Sequence, residues 1–258
     1  MKHLSVAGAE LAYEVGGTGS STLAFVHGWL SQSAHWDAQA THFASDHRVV
    51  RWDRRGMGQS AAGPAAESAR RHADDLAAIL DHEEIERVVV LGHAGGGPTA
   101  LTFAASYPDR TEGLVMVDSY VRAPSRNAES DPFVATVDGL IAGLEAEDGK
   151  EFLAPVYASF FGPLAPPDLV EAAIANAQAT DTAVAVSELR HILGDTSSVA
   201  AQVRCPVLSV SVDATDTSTI QSTFADVEVG HVVGAGHFLQ LEVPDQFNAM
   251  VATFLARL

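Results

Sequence analysis

The stretch with the clearest chemical signature is Val88-Val89-Val90-Leu91-Gly92-His93-Ala94-Gly95-Gly96-Gly97. An apolar, β-branched run of strand length ends in small residues, and helix-forming residues resume at Thr99-Ala100-Leu101. A strand, a sharp turn and a helix in that order put one side chain at the centre of the turn. Glycines flank it because so tight a turn leaves no room for Cβ atoms. The central residue is Ala94, and a methyl group is not a nucleophile. Two other residues can handle a proton and its charge. His237, in Gly234-Ala235-Gly236-His237-Phe238, has a side chain whose unperturbed pKa lies near neutrality, so it can take and return a proton. Asp118 follows the apolar run Gly113-Leu114-Val115-Met116-Val117, and a carboxylate can hold one imidazole tautomer and stabilise the imidazolium.

The G-x-S-x-G pattern at such a turn is the nucleophile elbow of α/β-hydrolases, and this chain resembles that superfamily over essentially its whole length. It departs at one point, where alanine replaces the elbow serine. His27-Gly28-Trp29 after Leu23-Ala24-Phe25-Val26 resembles the family's oxyanion loop. The resemblance implies that the backbone N–H groups of Trp29 and Gly95 face the developing oxyanion. Asp53-Arg54-Arg55-Gly56-Met57-Gly58-Gln59-Ser60 matches the family's D-x-R-G-x-G-x-S loop, whose role is structural, with an ion pair expected between the aspartate and an arginine. G-x-G-H-F after the last strand resembles the catalytic-histidine loop. In this family the triad acid stands after the sixth or the seventh strand. Asp118 fits the first place. After the seventh, the aligned slot falls on Thr215, with Asp216 and Asp213 out of phase, so they are held in reserve.

The implied reaction, with a serine at position 94, is hydrolysis of a carboxylic ester or lactone. His237 removes the hydroxyl proton, the oxygen attacks the carbonyl, and water resolves the acyl-enzyme. On this reading Ala94 is a Ser→Ala change that disables the site. A second reading is a cofactor-independent dioxygenase, similar to the 3-hydroxy-4-oxoquinoline 2,4-dioxygenases, in which a His-Asp dyad deprotonates the substrate hydroxyl and no serine attacks. Val117-Asp118-Ser119-Tyr120-Val121-Arg122-Ala123-Pro124 resembles that branch, whereas Gly95 stands where that branch tends to carry a second histidine. A third reading is a small-molecule binding protein. An aspartate nucleophile is disfavoured, because dehalogenases and epoxide hydrolases usually carry tryptophan where Gly95 stands.

The elements that must position these residues follow from patterning. The expected fold class is α/β, the α/β-hydrolase fold, with a mostly parallel eight-stranded sheet, flanking helices and a helical lid. Alternating residues 3–7 and 10–15 predict a starting hairpin. Helices are expected over 31–44 and 67–82, with His72 and His82 on a solvated face of the second. From 120 to 200 the strand pattern stops and apolar residues recur at helical spacing. The domain expectation is therefore core over 1–119, lid over 120–200 and core again over 201–258. The pocket is expected to take in His27 and His93 beside the elbow and Phe238 after the histidine. Phe133, Phe152, Val156, Tyr157, Phe160 and Phe161 of the lid form its ceiling. His27 is read as a brace for its loop rather than a base.

Composition limits the partners. The chain has 258 residues, is 47% hydrophobic and carries a formal net charge of −18. So acidic a surface repels phosphate backbones and anionic headgroups, so neither nucleic acid nor a membrane is the expected partner; a small apolar molecule is. The one cysteine, Cys205, excludes an internal disulfide, and no zinc spacing is present. No run approaches the roughly 18 apolar residues of a membrane span. The reading is a cytoplasmic protein, monomer or homodimer, with neither cofactor nor metal.

Overall fold

The computed structural model describes residues 1–63, 68–124, 129–212 and 217–258. Eight strands form one sheet: β1 (Lys2–Val6), β2 (Ala9–Gly16), β3 (Thr22–Val26), β4 (Arg48–Trp52), β5 (Val88–His93), β6 (Thr111–Val117), β7 (Val207–Ser211) and β8 (Val227–His231). Their spatial order is β1-β2-β4-β3-β5-β6-β7-β8. β1 pairs antiparallel with β2, and β2 antiparallel with β4, while β3 to β8 run parallel. The middle strands are covered on both faces, which is why β3 and β5 read as continuous apolar runs and are buried at every position.

The helices are α1 (Asp37–Phe43), α2 (Ala69–His82), α3 (Gly97–Ser106), α4 (Pro132–Glu145), α5 (Gly149–Ala158), α6 (Pro167–Ala179), α7 (Thr182–Ile192), α8 (Ser197–Ala200), α9 (Ser218–Thr223), α10 (Leu239–Glu242) and α11 (Pro244–Leu255). α2 and α3 cover one face of the sheet through Leu76, Leu80, Leu101 and Phe103. α1 and α11 cover the other through Phe43, Phe247, Val251 and Phe254. α4 to α8 lie between β6 and β7 in the chain. A third apolar cluster joins α4 to α7 to Trp29, Leu30 and Phe238 at the carboxyl end of the sheet.

Several local expectations are corrected. The helix expected over 31–44 begins as a 3-10 turn, Ser33–Trp36, and becomes α-helical only at Asp37. His72 is not on a solvated face. It is buried and meets Glu188 of α7 at 2.7 Å, a partner supplied from 116 residues away. The loop 53–60 contains no Asp53–Arg pair. Asp53 accepts from the backbone amides of Ser33 (2.6 Å) and Gln59 (2.8 Å). Arg55 makes a two-pronged pair with Asp75 at 2.6 and 2.7 Å, and Arg54 pairs with Glu188. Backbone donors satisfy the Asp53 carboxylate, which leaves both guanidinium groups to other acids.

Candidate active site

β5 turns into α3 through Ala94–Gly96, and Ala94 sits at φ +48°. Left-handed backbone costs a non-glycine residue roughly 1–2 kcal/mol, so the turn is strained and held by its neighbours. The crowding is explicit. A Cβ on Gly92 would meet the Gly96 carbonyl oxygen at 2.6 Å, and one on Gly96 would meet those of Val26 and His27 at 2.5 Å. The strain points the Ala94 methyl into the space above the sheet.

His237 follows β8 and is anchored by its amide, which donates to the Phe160 carbonyl at 2.6 Å. Its Nδ1 donates to Asp118 Oδ2 at 2.5 Å. Asp118 stands just beyond β6 at φ +41°, and its Oδ1 accepts from the Val212 amide at 3.3 Å. The carboxylate thus holds the Nδ1–H tautomer and leaves Nε2 to do the chemistry. The pair is half-open, at 30% side-chain exposure for His237 and 19% for Asp118. Asp213 and Asp216, the reserve acids, lie outside the described residues. His93, the residue before Ala94, donates from Nε2 to the His237 carbonyl at 2.9 Å, its ring 4.8 Å from that of His237. Burial, with the nearby His237 charge, holds the His93 pKa far below the usual histidine value, so it is a fixed neutral donor and not a base.

The His27–Leu30 loop passes against the elbow. A Cβ on Gly28 would lie 3.2 Å from the Ala94 Cβ, and one on Gly95 would lie 3.3 Å from the Trp29 amide nitrogen. The Trp29 amide and Gly95 are therefore neighbours beside the methyl, as a two-donor oxyanion site requires. His27 is not part of the pocket. It is buried, its Nε2 accepts from the Arg54 amide at 2.9 Å, and its Nδ1 donates to the Gly28 carbonyl at 2.9 Å. With both nitrogens on backbone and its pKa pushed far down by burial and by Arg54, it braces two loops.

A cavity of about 310 Å³ opens over Ala94, Gly95, Asp118 and His237. Trp29, His93, Phe133, Tyr157, Phe160 and Phe238 line it as well. Phe152, Val156 and Phe161 do not. α5 turns Leu153 and Tyr157 inward at helical spacing, which leaves Phe152 against Gly143 of α4 and Val156 half-buried. Phe161 stacks on Phe238 at 4.7 Å instead of facing the cavity. The remaining wall is Tyr120, Thr136, Val137, Leu140, Leu189 and Ile192. Their spacing along α4 (136, 137, 140) and α7 (189, 192) was visible in the sequence as an amphipathic stripe, but no local signal said what that stripe faced.

Apart from the dyad and the buried, unpartnered Nδ1 of His93, the polar side-chain groups of the wall are already engaged. Tyr120 donates to the Ile192 carbonyl (3.0 Å), Tyr157 to the Trp29 carbonyl (2.5 Å), Trp29 Nε1 to the Ala185 carbonyl (3.0 Å) and Thr136 to the Pro132 carbonyl (2.9 Å). Burial raises the pKa of both tyrosines, which keeps them protonated donors. The site therefore offers one polar spot, at His237 and the 29/95 backbone, within an apolar chamber. Among the described residues no cluster of three or more His, Cys, Asp or Glu could hold a metal ion, and no helix is long and apolar enough to cross a membrane.

The sequence model of the alpha/beta hydrolase fold matches residues 22–244. A bifunctional esterase/perhydrolase of Acinetobacter calcoaceticus is 34% identical over 109 residues, 42% of this chain and 40% of that protein, so the match spans about two-fifths of that relative's length. The crystal structure of a hydrolase from Pseudomonas aeruginosa PA01 superposes with a TM-score of 0.84 at 27% identity, covering 98% of this chain and 97% of the other. The enol-lactonase of Burkholderia xenovorans LB400 superposes at 0.86 with 20% identity, over 99% of this chain and all (100%) of the other, a likeness of fold.

Proposed function

Since the chain belongs to the alpha/beta hydrolase fold family, we propose that its site is that of a hydrolase for a carboxylic ester or lactone of a small, largely apolar molecule, in a form disabled at Ala94. The observation that carries the reading is the His237–Asp118 pair beside the elbow, facing a cavity with one polar spot. A volume near 310 Å³ lies at the lower end of small-molecule sites, which matches a small acyl group. α4 to α7 act as the lid that keeps water from the apolar part of the ligand. The strongly negative surface, net −18, turns anionic polymers and membranes away.

With a hydroxyl at position 94, His237 Nε2 accepts its proton as the oxygen bonds to the substrate carbonyl carbon. The carbonyl π electrons move to oxygen and are met by the Trp29 and Gly95 N–H groups. Collapse expels the alcohol, which takes the proton back from His237, and water repeats the cycle to release the acid. Ala94 removes the first bond-forming atom and leaves every other part of the arrangement in place.

One observation favours a second reading. The dyad is intact while the nucleophile is absent, so His237 is free to deprotonate a substrate hydroxyl directly, giving an anion that reacts with dioxygen in a cofactor-independent ring cleavage of 3-hydroxy-4-quinolone-type substrates. A binding protein without turnover is the third outcome. The deciding experiment pairs the chain with its Ala94→Ser variant. Both are assayed on p-nitrophenyl esters and simple lactones, and both on a 3-hydroxy-4-quinolone with oxygen uptake followed. Ester or lactone hydrolysis by the serine form alone supports the hydrolase. Oxygen uptake by the alanine form overturns it in favour of the dioxygenase, and inactivity of both leaves either a substrate outside the panel or the binding protein, which a ligand screen separates.

A further inference from the structure

The oxyanion loop is gripped by the inserted helices. Three successive carbonyls of the loop accept hydrogen bonds. Gly28 O accepts from Arg54 Nη2 at 2.9 Å, Trp29 O from the Tyr157 hydroxyl at 2.5 Å, and Leu30 O from Asn176 Nδ2 at 2.8 Å. Tyr157 is on α5 and Asn176 on α6. Arg54 is itself held by a buried ion pair to Glu188 on α7. α7 reaches the loop a second time through its Ala185 carbonyl, which accepts from Trp29 Nε1 at 3.0 Å.

The loop needs such support. It leaves β3 at Val26 and has no ladder partner of its own, and Leu30 sits at φ +50°. A non-glycine residue stays in that region only when its surroundings over-determine it. The sheet and elbow hold the loop's first half, where His27 O packs over Gly96 and also accepts from Arg54 Nε at 3.1 Å. From Gly28 on, each acceptor meets a group that the insertion supplies or holds. Gly28 O also accepts from His27 Nδ1 at 2.9 Å and Trp29 O from Ser31 Oγ at 3.3 Å, so Leu30 O rests on Asn176 and the other two share their donors with the loop itself. Donors aimed at an oxyanion contribute most when they are fixed before reaction, so whatever fixes Trp29 sets how well its amide is aimed.

We infer that Tyr157, Asn176 and Glu188, one from each of α5, α6 and α7, are positioning residues that clamp the Gly28–Leu30 backbone and so aim the Trp29 amide at the reacting oxygen. The inserted helices are thus a template for the oxyanion site as well as a cover for the cavity. This rests on the proposed hydrolase reading, in which the Trp29 N–H meets the oxyanion. It predicts that removing a clamp hydrogen bond, at Tyr157 on the cavity wall or at Asn176 outside it, alters turnover rather than affinity.

The test uses the full chain with Ala94→Ser, to which Tyr157→Phe and Asn176→Leu are added singly. Each deletes one clamp donor with little change of volume. Hydrolysis of p-nitrophenyl acetate is measured, with amide hydrogen exchange of residues 28–31 followed in the Ala94→Ser proteins and in the same variants of the parent chain. Each change is expected to lower kcat about tenfold or more with KM within about threefold, since a merely shifted donor loses less than a deleted one. Exchange at 28–31 should quicken while β5 stays protected. Unchanged kcat and exchange overturn the assignment. So does a rise in KM alone, which is what a simple wall of the pocket would give. If the serine form hydrolyses nothing, the hydrolase reading falls and exchange decides the clamp alone: faster at 28–31 sustains it, unchanged overturns it. Should Tyr157→Phe fail to fold, Asn176→Leu, half-buried, carries the same readouts.

Discussion

His237 and Asp118 stand 119 residues apart in the chain, and Nδ1 of the first donates to Oδ2 of the second at 2.5 Å. Each follows a parallel strand at the same end of the sheet, Asp118 after β6 and His237 after β8. The left-handed backbone of Asp118 turns its carboxylate toward the Val212 amide and the imidazole together. The pair has an evident consequence for proton transfer. In the Ala94→Ser protein, Asp118→Asn should lower ester kcat by about 10³–10⁴-fold, because an amide can hold the wrong imidazole tautomer and gives the imidazolium no charge partner. A fall smaller than about tenfold in steady-state assays would remove Asp118 from the machinery.

Backbone strain at the elbow predicts a stability gain. Ala94 at φ +48° should be relieved by Ala94→Gly. The relief is about 1–2 kcal/mol, offset by roughly 0.4–1 kcal/mol from the freer unfolded chain. A net increase of about 0.5–1 kcal/mol in urea unfolding is expected, and a loss of stability would show that the methyl's contacts outweigh the strain.

The opposite holds at Gly96. Its backbone is ordinary, but an added Cβ would lie 2.5 Å from two carbonyl oxygens, those of Val26 and His27. Backbone atoms cannot swing aside as a flexible side chain can. Gly96→Ala should therefore destabilise by about 2–3 kcal/mol and push the oxyanion loop away from the elbow. Thermal melts that match the parent would contradict the tightness of this contact.

Buried neutral histidines make the protein sensitive to mild acid. Burial lowers His35 to about 4, and burial with neighbouring positive charge takes His27 and His93 far below their usual value. Below about pH 6.5 the unfolded chain binds protons at these sites and the folded chain does not. Their stabilisation is thus complete above that pH and shrinks as pH falls below it. Glu188, which burial alone would raise, is held well below the carboxylate range by Arg54 and His72, so its contribution fades only below about pH 4.5. Urea midpoints measured from pH 7.5 to 5 should drop steadily below 6.5, and a flat profile would refute the burial argument.

Asp75 offers a test of the second buried pair. Its two oxygens hold Arg55 at 2.6 and 2.7 Å, with both side chains almost fully enclosed. Asp75→Ala should cost about 3 kcal/mol or more by taking the two-pronged carboxylate away from a buried guanidinium. Loss of less than about 1 kcal/mol in chemical unfolding would mean that water or another acid replaces it.

The sequence by itself determined what short-range rules govern. Apolar runs of strand length marked β3, β5, β6 and β7, and the glycines around Ala94 marked a turn too tight for side chains. The order of elbow, oxyanion loop and histidine loop along the chain pointed to one family. These signals are legible because backbone sterics and side-chain periodicity act within a few residues. Only the tertiary structure decided which distant groups meet. It set Asp118 against His237, took His72 from an expected surface into contact with Glu188, and gave Arg54 an acid 134 residues away instead of its neighbour Asp53. It also turned Tyr157 toward the cavity and Phe152 away, although both are aromatic residues of one helix. Such pairings depend on how helices seat on the sheet, a packing outcome that many residues share and no local pattern encodes.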